Sequence, residues 1–396
     1  MRVIALLLAL SGAANAVNIR VLITSAPTVR VRVPFTTPSA YPTNTAPTVT
    51  YAEWDVNVAG KKLTLGGQDA GSNSLYLPPA PGSVVGIDGR EYRGGVLLRV
   101  NGSNVEAVNV LDVEDYLRGV VPHEMPASWP IEALKAQAVI ARSYAVARIN
   151  PAGAYDLCAT QQCQVYGGLA KEHPSTDLAV QQTNGQVVSF AGKVAKTYFS
   201  ADSGGYTASA GEVWGNDLPY LVAQPDPVSR SPKSSWNMTL PLSQIQDVAA
   251  RYKIRVGTLQ SVTATRISVS GRVLELTFTG TGGAAKLQGA EAGGFIRALG
   301  AYSARVTLSG QDPVTIAGAG FGHGVGLSQW GANGLAGLNW NYTQILAFYY
   351  PGVSLSALQE RAALEDGRSV VALGASKSIR PGVLDSLTAA LPGTAD

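Results

Sequence analysis

The stretch "VVPHEMPASWPIEALKAQAVIARSYAVAR", Val120 to Arg148, decides how this chain is read. Its second half has the periodicity of a helix: Ile131, Leu134, Ala138, Ala141 and Ala145 follow at spacings of three and four. Pro130 stands in the first turn, where a missing N–H costs nothing, Ser128 is placed to cap, and Glu132 lies near the positive end of the dipole. Small residues on the apolar stripe let the helix approach another element closely. The first half sets His123 and Glu124 on what reads as a short loop bounded by Pro122 and Pro126. Just before it, "LDVEDYL" reads as a helix start whose acids complement the dipole, so Asp112, Glu114 and Asp115 are assigned to structure. Val121, Pro122, Met125 and Pro126 give Glu124 an apolar surround, which favours its protonated form.

Outward from this point the pattern is mostly of strands. Ile19 to Val33 alternates branched apolar and polar residues, and similar segments recur at Tyr51 to Val58, Lys61 to Leu65, Leu75 to Leu77, Gly95 to Val100 and Val105 to Val110. Downstream, helices are expected over Ser175 to Asn184, Leu242 to Tyr252 and around Tyr342 to Tyr349, with a hairpin turning at Ser270-Gly271. The fold class expected is α+β: a mixed, β-rich core with a few helices, a smaller lobe at about 230–315 and a substrate groove between them. Beyond Gly352 one amphipathic piece, "LSALQERAALE", leads into a Gly- and Ala-rich tail, 353–396, expected to be mobile.

The chain opens with Arg2, an apolar run from Val3 to Leu10 and the small-x-small site Ala14-Asn15-Ala16, the pattern of a secretory signal peptide over 1–16 that is too short to span a bilayer. Residues 17–352 then form the main domain, and the expected location is outside the cytoplasm, in the periplasm or cell envelope, with no membrane span in the mature form. Of 30 basic and 27 acidic residues only Arg2 lies in the leader, so the surface is nearly balanced and lacks the basic excess of a nucleic-acid binder. The two cysteines, Cys158 and Cys163, sit close together in an exported chain and read first as a disulfide clip; half of a zinc site is the competitor, with only His123, His173 and His323 to complete it.

Two further segments carry chemistry. "FGHGVG" sets His323 among glycines with Gln329 and Trp330 close behind, a combination suited to a sugar subsite in which an aromatic ring stacks on a pyranose. "SADSGG" offers Ser200, Asp202 and Ser203 to sugar hydroxyls or an N-acetyl group. A Ser203, His323, Asp202 triad is disfavoured, because adjacent Asp and Ser are poorly placed for a relay and no nucleophile elbow surrounds them. Arg142, among alanines on the helix after Glu124, is placed to orient the Glu or bind a substrate carboxylate.

"YLRGVVPHEMPASWPIEALKAQAVIARSYAVAR" resembles the signature of the SpoIID/LytB domain family, and "CQVYGG" (Cys163 to Gly168), "YFSADSGGYTASAGEVWGNDLPYL" (Tyr198 to Leu221), "LQGAEAGGFIRALGAYSARVTLS" (Leu287 to Ser309) and "GFGHGVGLSQWGANGLA" (Gly320 to Ala336) are similar in the same order. The resemblance implies peptidoglycan as target. Members of the sporulation type are lytic transglycosylases acting on glycan strands stripped of stem peptides, with the Glu of the "EMP" motif as catalyst, here Glu124. The amidase enhancers of the same family stimulate a partner amidase instead. A lone Glu suits the first chemistry, since the muramic 6-hydroxyl attacks internally and one carboxyl serves as acid and then base. The expectation is therefore an envelope lytic transglycosylase with Glu124 catalytic and Arg142, Ser200, Ser203, His323, Gln329 and Trp330 binding substrate; the alternative is a non-catalytic enhancer with a cell-wall amidase as partner. Some sporulation-type members hold zinc near the Cys pair with His partners. Here Gln162 precedes Cys163 and no His lies between Tyr155 and Tyr166, so no cofactor is expected.

Overall fold

Alternation along the first strands buries Ile19, Val21, Val29 and Val31 completely, yet the stretch read as one strand is two. Asn18–Ala26 and Thr28–Thr36 belong to different sheets, and Pro27, which has no N–H to give to a ladder, separates them. The structure, a computed structural model, describes residues 17–36, 49–80, 82–363 and 369–382. The expected signal peptide, 1–16, and the end of the expected tail, 383–396, lie outside the described residues.

The described chain falls into two compact units. The first comprises Met1–Tyr116, Arg148–Gln164 and Leu358–Gly374. One of its sheets runs in the order Leu157–Cys158, Asn18–Ala26, Asn104–Asp112, Gly95–Asn101, Ser74–Leu77, and antiparallel pairing sets Asn18 opposite Asp112 and Ala26 opposite Val105. A second sheet is built around Val49–Ala59, Thr28–Thr36 and Val85–Ile87. Arg20 is buried and ties the segment 150–156 to this unit: its guanidinium pairs with Asp156 at 2.8 Å and donates to the carbonyls of Gly153 and Asn150. A disulfide joins Cys158 to Cys163, whose Cα atoms are 5.5 Å apart.

The second unit comprises Leu117–Ala147, Val165–Ala357 and Ala375–Asp396. The chain leaves the first unit within helix α1 (Val113–Glu124) and continues into α2 (Ile131–Val146). Then come α3 (Pro174–Gln182), α4 (Ala210–Trp214), α5 (Leu242–Arg251), α6 (Ala290–Ala298), α7 (Gln329–Gly337) and α8 (Tyr342–Tyr349). Strands outnumber helices, the β-rich α+β class expected. No described helix is long and apolar enough to cross a membrane.

The central helix α2 departs from its sequence reading in two ways. Ser128 does not cap it; Pro130 occupies the N-cap position with no side-chain cap, and its carbonyl accepts from the N–H groups of Ala133 and Leu134. Nor is one stripe buried, since every residue from Ala133 to Val146 except Lys135 is buried. The reason is that α3, α7, α8 and the strand Gln186–Phe190 all pack against α2, and alanines admit neighbours on every side. Leu134, Ile140, Val188, Leu327, Leu346 and Tyr350 form the centre of this core at 0 % exposure.

Within the same unit a satellite core is built on Ile245, Leu276, Phe278, Phe295 and Ile316. It joins α5, α6, the sheet Leu259–Ile267, Val273–Gly280, Gly283–Gln288, and the sheet Trp236–Leu240, Val314–Gly318, Val306–Ser309. After Gly352 the chain does not dissolve into a tail: Ser354–Ala363 is a strand, and Gln186 to Ser189 pair with Ala357 to Ser354. Its Leu- and Ala-rich composition hides this, because strand pairing with an available edge overrides local preference.

Candidate functional site

Glu124 is not on a loop. It is the last residue of α1, which Asp112 starts by accepting the Glu114 N–H at 2.7 Å and which continues through Pro122. The proline forfeits one hydrogen bond, but the Met125 N–H still closes on the Val121 carbonyl at 3.0 Å, so the turn holds. Burial pushes the Glu124 carboxyl above its ordinary pKa, while a side-chain hydrogen bond from Gln329 and a backbone one from Val165 pull the other way. Its place at the negative end of the α1 dipole also disfavours the charge. The result is a half-buried carboxyl that is harder to ionise than a free one yet held in orientation by two donors.

Each donor is fixed by its own surroundings. Gln329 opens α7, where Ser328 caps the helix by accepting the Gly331 N–H, and its amide also reaches Gln137 Oε1 at 3.5 Å. Gln137 is fully buried on α2, and its Nε2 has no partner. Val165 is positioned by packing around "VYGG": a Cβ on Gly119 would lie 2.6 Å from the Tyr166 ring, and one on Gly167 would collide with the His123 imidazole. Partial desolvation, and then the nearby Lys171 charge, push the His123 ring below its ordinary pKa. Sequence reasoning missed Val165 and Gln137. A lone Gln in "LKAQAVIA" was the available signal for Gln137; a backbone donor leaves none.

The "SADSGG" and "FGHGVG" segments interlock. Phe199–Ser200 pairs in parallel with Leu327–Ser328, Asp202 bridges Phe321, and the Trp330 backbone N–H donates to the Ala201 carbonyl at 3.0 Å. Trp330 is half-buried with its ring edge-on to Trp129, centroids 5.0 Å apart. Ser200 is largely buried and its Oγ accepts the Gly324 N–H at 3.1 Å. His323 accepts the Val325 N–H on Nδ1 at 3.0 Å and lies against Trp214, ring centroids 5.2 Å apart. Burial pushes its pKa down to about 4, with Arg272 and Arg297 acting in the same direction, so the ring is neutral at pH 7.

Two expected substrate ligands are withdrawn from solvent. Ser203 is fully buried, its Oγ accepting the Gly205 N–H at 3.2 Å. It belongs to a polar knot in which burial opposes the charge of Asp202, but the donors Ser231, Gly204, Ser229 and Ser234 hold its pKa below the ordinary value. Arg142 is fully buried as well and donates to the carbonyls of Gln186 at 3.0 Å and Val180 at 3.4 Å. Neither can touch a glycan; both hold backbone. Zinc does not fit either: the cysteine sulfurs are bonded to each other, and among the described residues no cluster of three His, Cys, Asp or Glu side chains could hold a metal.

Comparison with known proteins adds a family. Residues 101–190 match the family described as SpoIID, stage II sporulation protein. The chain is 34 % identical over 273 residues to an uncharacterized protein of Brachyspira hyodysenteriae, covering 68 % of this chain and 73 % of that one. It is 31 % identical over 358 residues to the amidase enhancer of Bacillus subtilis, covering 77 % of this chain but only 50 % of that protein. To the stage II sporulation protein D of Bacillus amyloliquefaciens it is 31 % identical over 269 residues, covering 63 % of this chain and 76 % of that one.

Proposed function

From the premise that the chain belongs to the stage II sporulation protein D family, we propose that it is an exported lytic transglycosylase that cleaves peptidoglycan glycan strands in the cell envelope, with Glu124 as general acid and then base. The observation that carries this reading is the state of Glu124: half-buried, biased towards its protonated form, and aimed by Gln329 and Val165. A carboxyl biased by burial towards its protonated form can give its proton to the leaving glycosidic oxygen; once ionised, it can take the proton of the muramic 6-hydroxyl as that oxygen closes on the anomeric carbon. One carboxyl then serves both steps. The scheme itself calls for no metal. Strands freed of stem peptides are the proposed substrate.

The second reading is that of an enhancer which binds the wall or an amidase without cutting glycan, and it is favoured by the extent of the match to the Bacillus subtilis amidase enhancer. Incubating the mature protein with intact and with amidase-stripped sacculi separates the two. Release of anhydro-muramic fragments, seen by mass spectrometry and greater from stripped sacculi, supports the enzyme. Absence of such fragments together with faster hydrolysis by an added amidase supports the enhancer.

A further inference from the structure

A small cleft runs between the satellite core and the His323 loop, both within the second unit. About 20 Å³ of it is open to the centre of a water-sized group, room for one or two atoms rather than a ring. Its wall carries Arg272, Arg297, His323 and Glu212, and the start of α6 at Gly289 and Ala290.

The charges in this wall are unequal. Glu212 is already engaged as the N3 residue of the α4 capping box, accepting the Ser209 N–H at 3.2 Å, and its other oxygen accepts the Ser270 N–H at 3.4 Å. His323 is neutral at pH 7. Arg297 is exposed and brings a second cation. The α6 helix is nine residues long and has Gly289 at its N-cap with no side-chain cap; the Ala292 N–H turns back onto the Gly289 carbonyl at 3.1 Å, and Glu291 in the first turn partly offsets the positive end of the dipole, leaving the Ala290 end of the helix to the cleft.

The second, independent feature is Arg272. Only 2 % of this residue is exposed. One terminal nitrogen donates to the Tyr206 carbonyl and the other to the Ser203 carbonyl, both at 3.1 Å. Its Nε–H, however, is buried and has no partner, and leaving such a donor unsatisfied costs on the order of 1–3 kcal/mol. The guanidinium presses against Gly324 with one terminal nitrogen foremost, and the φ of 75° and lack of a Cβ there permit the approach. An orphan guanidinium N–H, a second arginine and an uncapped helix start converge on a space of one or two atoms.

We infer that this cleft is a carboxylate-binding site, the Arg272 Nε–H and the α6 amides holding the oxygens and Arg297 closing the open side. A carboxylate is favoured over a phosphate because the space admits a flat, two-oxygen group and one of the two arginine charges is opposed by Glu212. Resting on the function proposed above, the carboxylate is the lactyl group of a muramic residue, which is free only where the stem peptide has been removed. The cleft would then be what distinguishes a stripped strand from an intact one.

The chain has three histidines, so the His323 ring can be followed by NMR as a reporter inside the cleft. Titration uses N-acetylmuramic acid, N-acetylglucosamine and acetate at pH 7. N-acetylmuramic acid should shift the His323 ring signals saturably, N-acetylglucosamine should not, and Arg297→Gln, an exposed change that leaves folding intact, should weaken binding about tenfold. Arg272→Lys, which keeps the charge and removes the Nε–H, should weaken it as well; because Arg272 also holds backbone, its folding is checked by circular dichroism and Arg297→Gln carries the test if it fails. Equal binding of acetate and N-acetylmuramic acid keeps the carboxylate site but overturns the muramyl assignment. No shift with either carboxylate, or equal shifts with N-acetylglucosamine, overturns the site. Binding is read without turnover, so a cleft that binds in a protein that fails to cut sacculi overturns the enzymatic reading alone.

Discussion

In the role proposed for it, Glu124 must both retain its proton and release it: burial favours the protonated form, and the hydrogen bonds from Gln329 and Val165 favour the ionised one. Glu124→Gln keeps shape and hydrogen bonding but removes the proton; glycan cleavage should fall by about 10²–10⁴-fold with an unchanged circular dichroism spectrum, and undiminished cleavage would remove Glu124 from the chemistry. Gln329 tests the tuning. Its hydrogen bond stabilises the ionised carboxyl and so lowers the pKa against the larger upward effect of burial; Gln329→Leu should raise the pKa further. Since the first step needs the protonated form, the alkaline limb of the kcat/KM profile should move to higher pH. A limb that stays put or moves down contradicts the hydrogen bond. The resemblance singled out Glu124 as the candidate, but its mounting was not legible in the sequence: Pro122 reads as a breaker, whereas a single lost hydrogen bond near a helix end is tolerated.

At the scale of elements, α7 brings Gln329 to Glu124, and it packs so closely that its glycines divide into two kinds. Glycine inside a helix ordinarily costs about 0.5–1 kcal/mol relative to alanine. At Gly337 a Cβ meets nothing within 4 Å, so Gly337→Ala should stabilise by about that amount. At Gly331 a Cβ would collide with the Tyr349 hydroxyl of α8 and lie 3.0 Å from both Asp226 oxygens; the clash outweighs the propensity gain, and Gly331→Ala should destabilise by about 1–3 kcal/mol. Thermal unfolding of the two variants is the measurement, and the same sign for both would refute the packing argument. Periodicity in the sequence found α5 and α8 within a residue or so, and the hairpin turning at Ser270-Gly271. It could not reveal that α2 is enclosed on nearly all sides, because an alanine-rich face looks alike whether it meets one neighbour or four. Nor could it show Arg142 and Ser203 turned inward, since a buried polar residue is distinguished only by partners distant in the chain.

For the molecule as a whole, the buried carboxyl of Asp226 sets a dependence of stability on pH that is separable from catalysis. Asp226 is fully buried and accepts the Tyr349 hydroxyl at 3.0 and 3.1 Å. Burial pushes its pKa from 3.8 to about 7; hydrogen bonds from Ser203, Tyr349 and the Ser229 backbone oppose this, and the nearby Asp202 charge adds to it. In the unfolded chain the same group ionises near its ordinary value. Between about pH 4 and 7 the unfolded state therefore releases a proton that the native state retains, so this contribution to stability is present below pH 4 and is lost as pH rises towards 7. His323 acts with the opposite sign over a neighbouring window: its folded pKa of about 4 lies below the ordinary 6.5, so its contribution is present above pH 6.5 and is lost as pH falls towards 4. The two act in opposite directions over overlapping pH ranges, so in the wild type each masks part of the other. Asp226→Asn removes one side of the balance while keeping an acceptor for Tyr349. The variant should gain stability relative to wild type as pH rises from 4 to 7, and its own unfolding midpoint should fall more steeply on acidification because His323 is then unopposed. Denaturant unfolding of both proteins across pH 4 to 8 reads the difference directly; a constant offset between them would show that Asp226 ionises alike in the folded and unfolded chain.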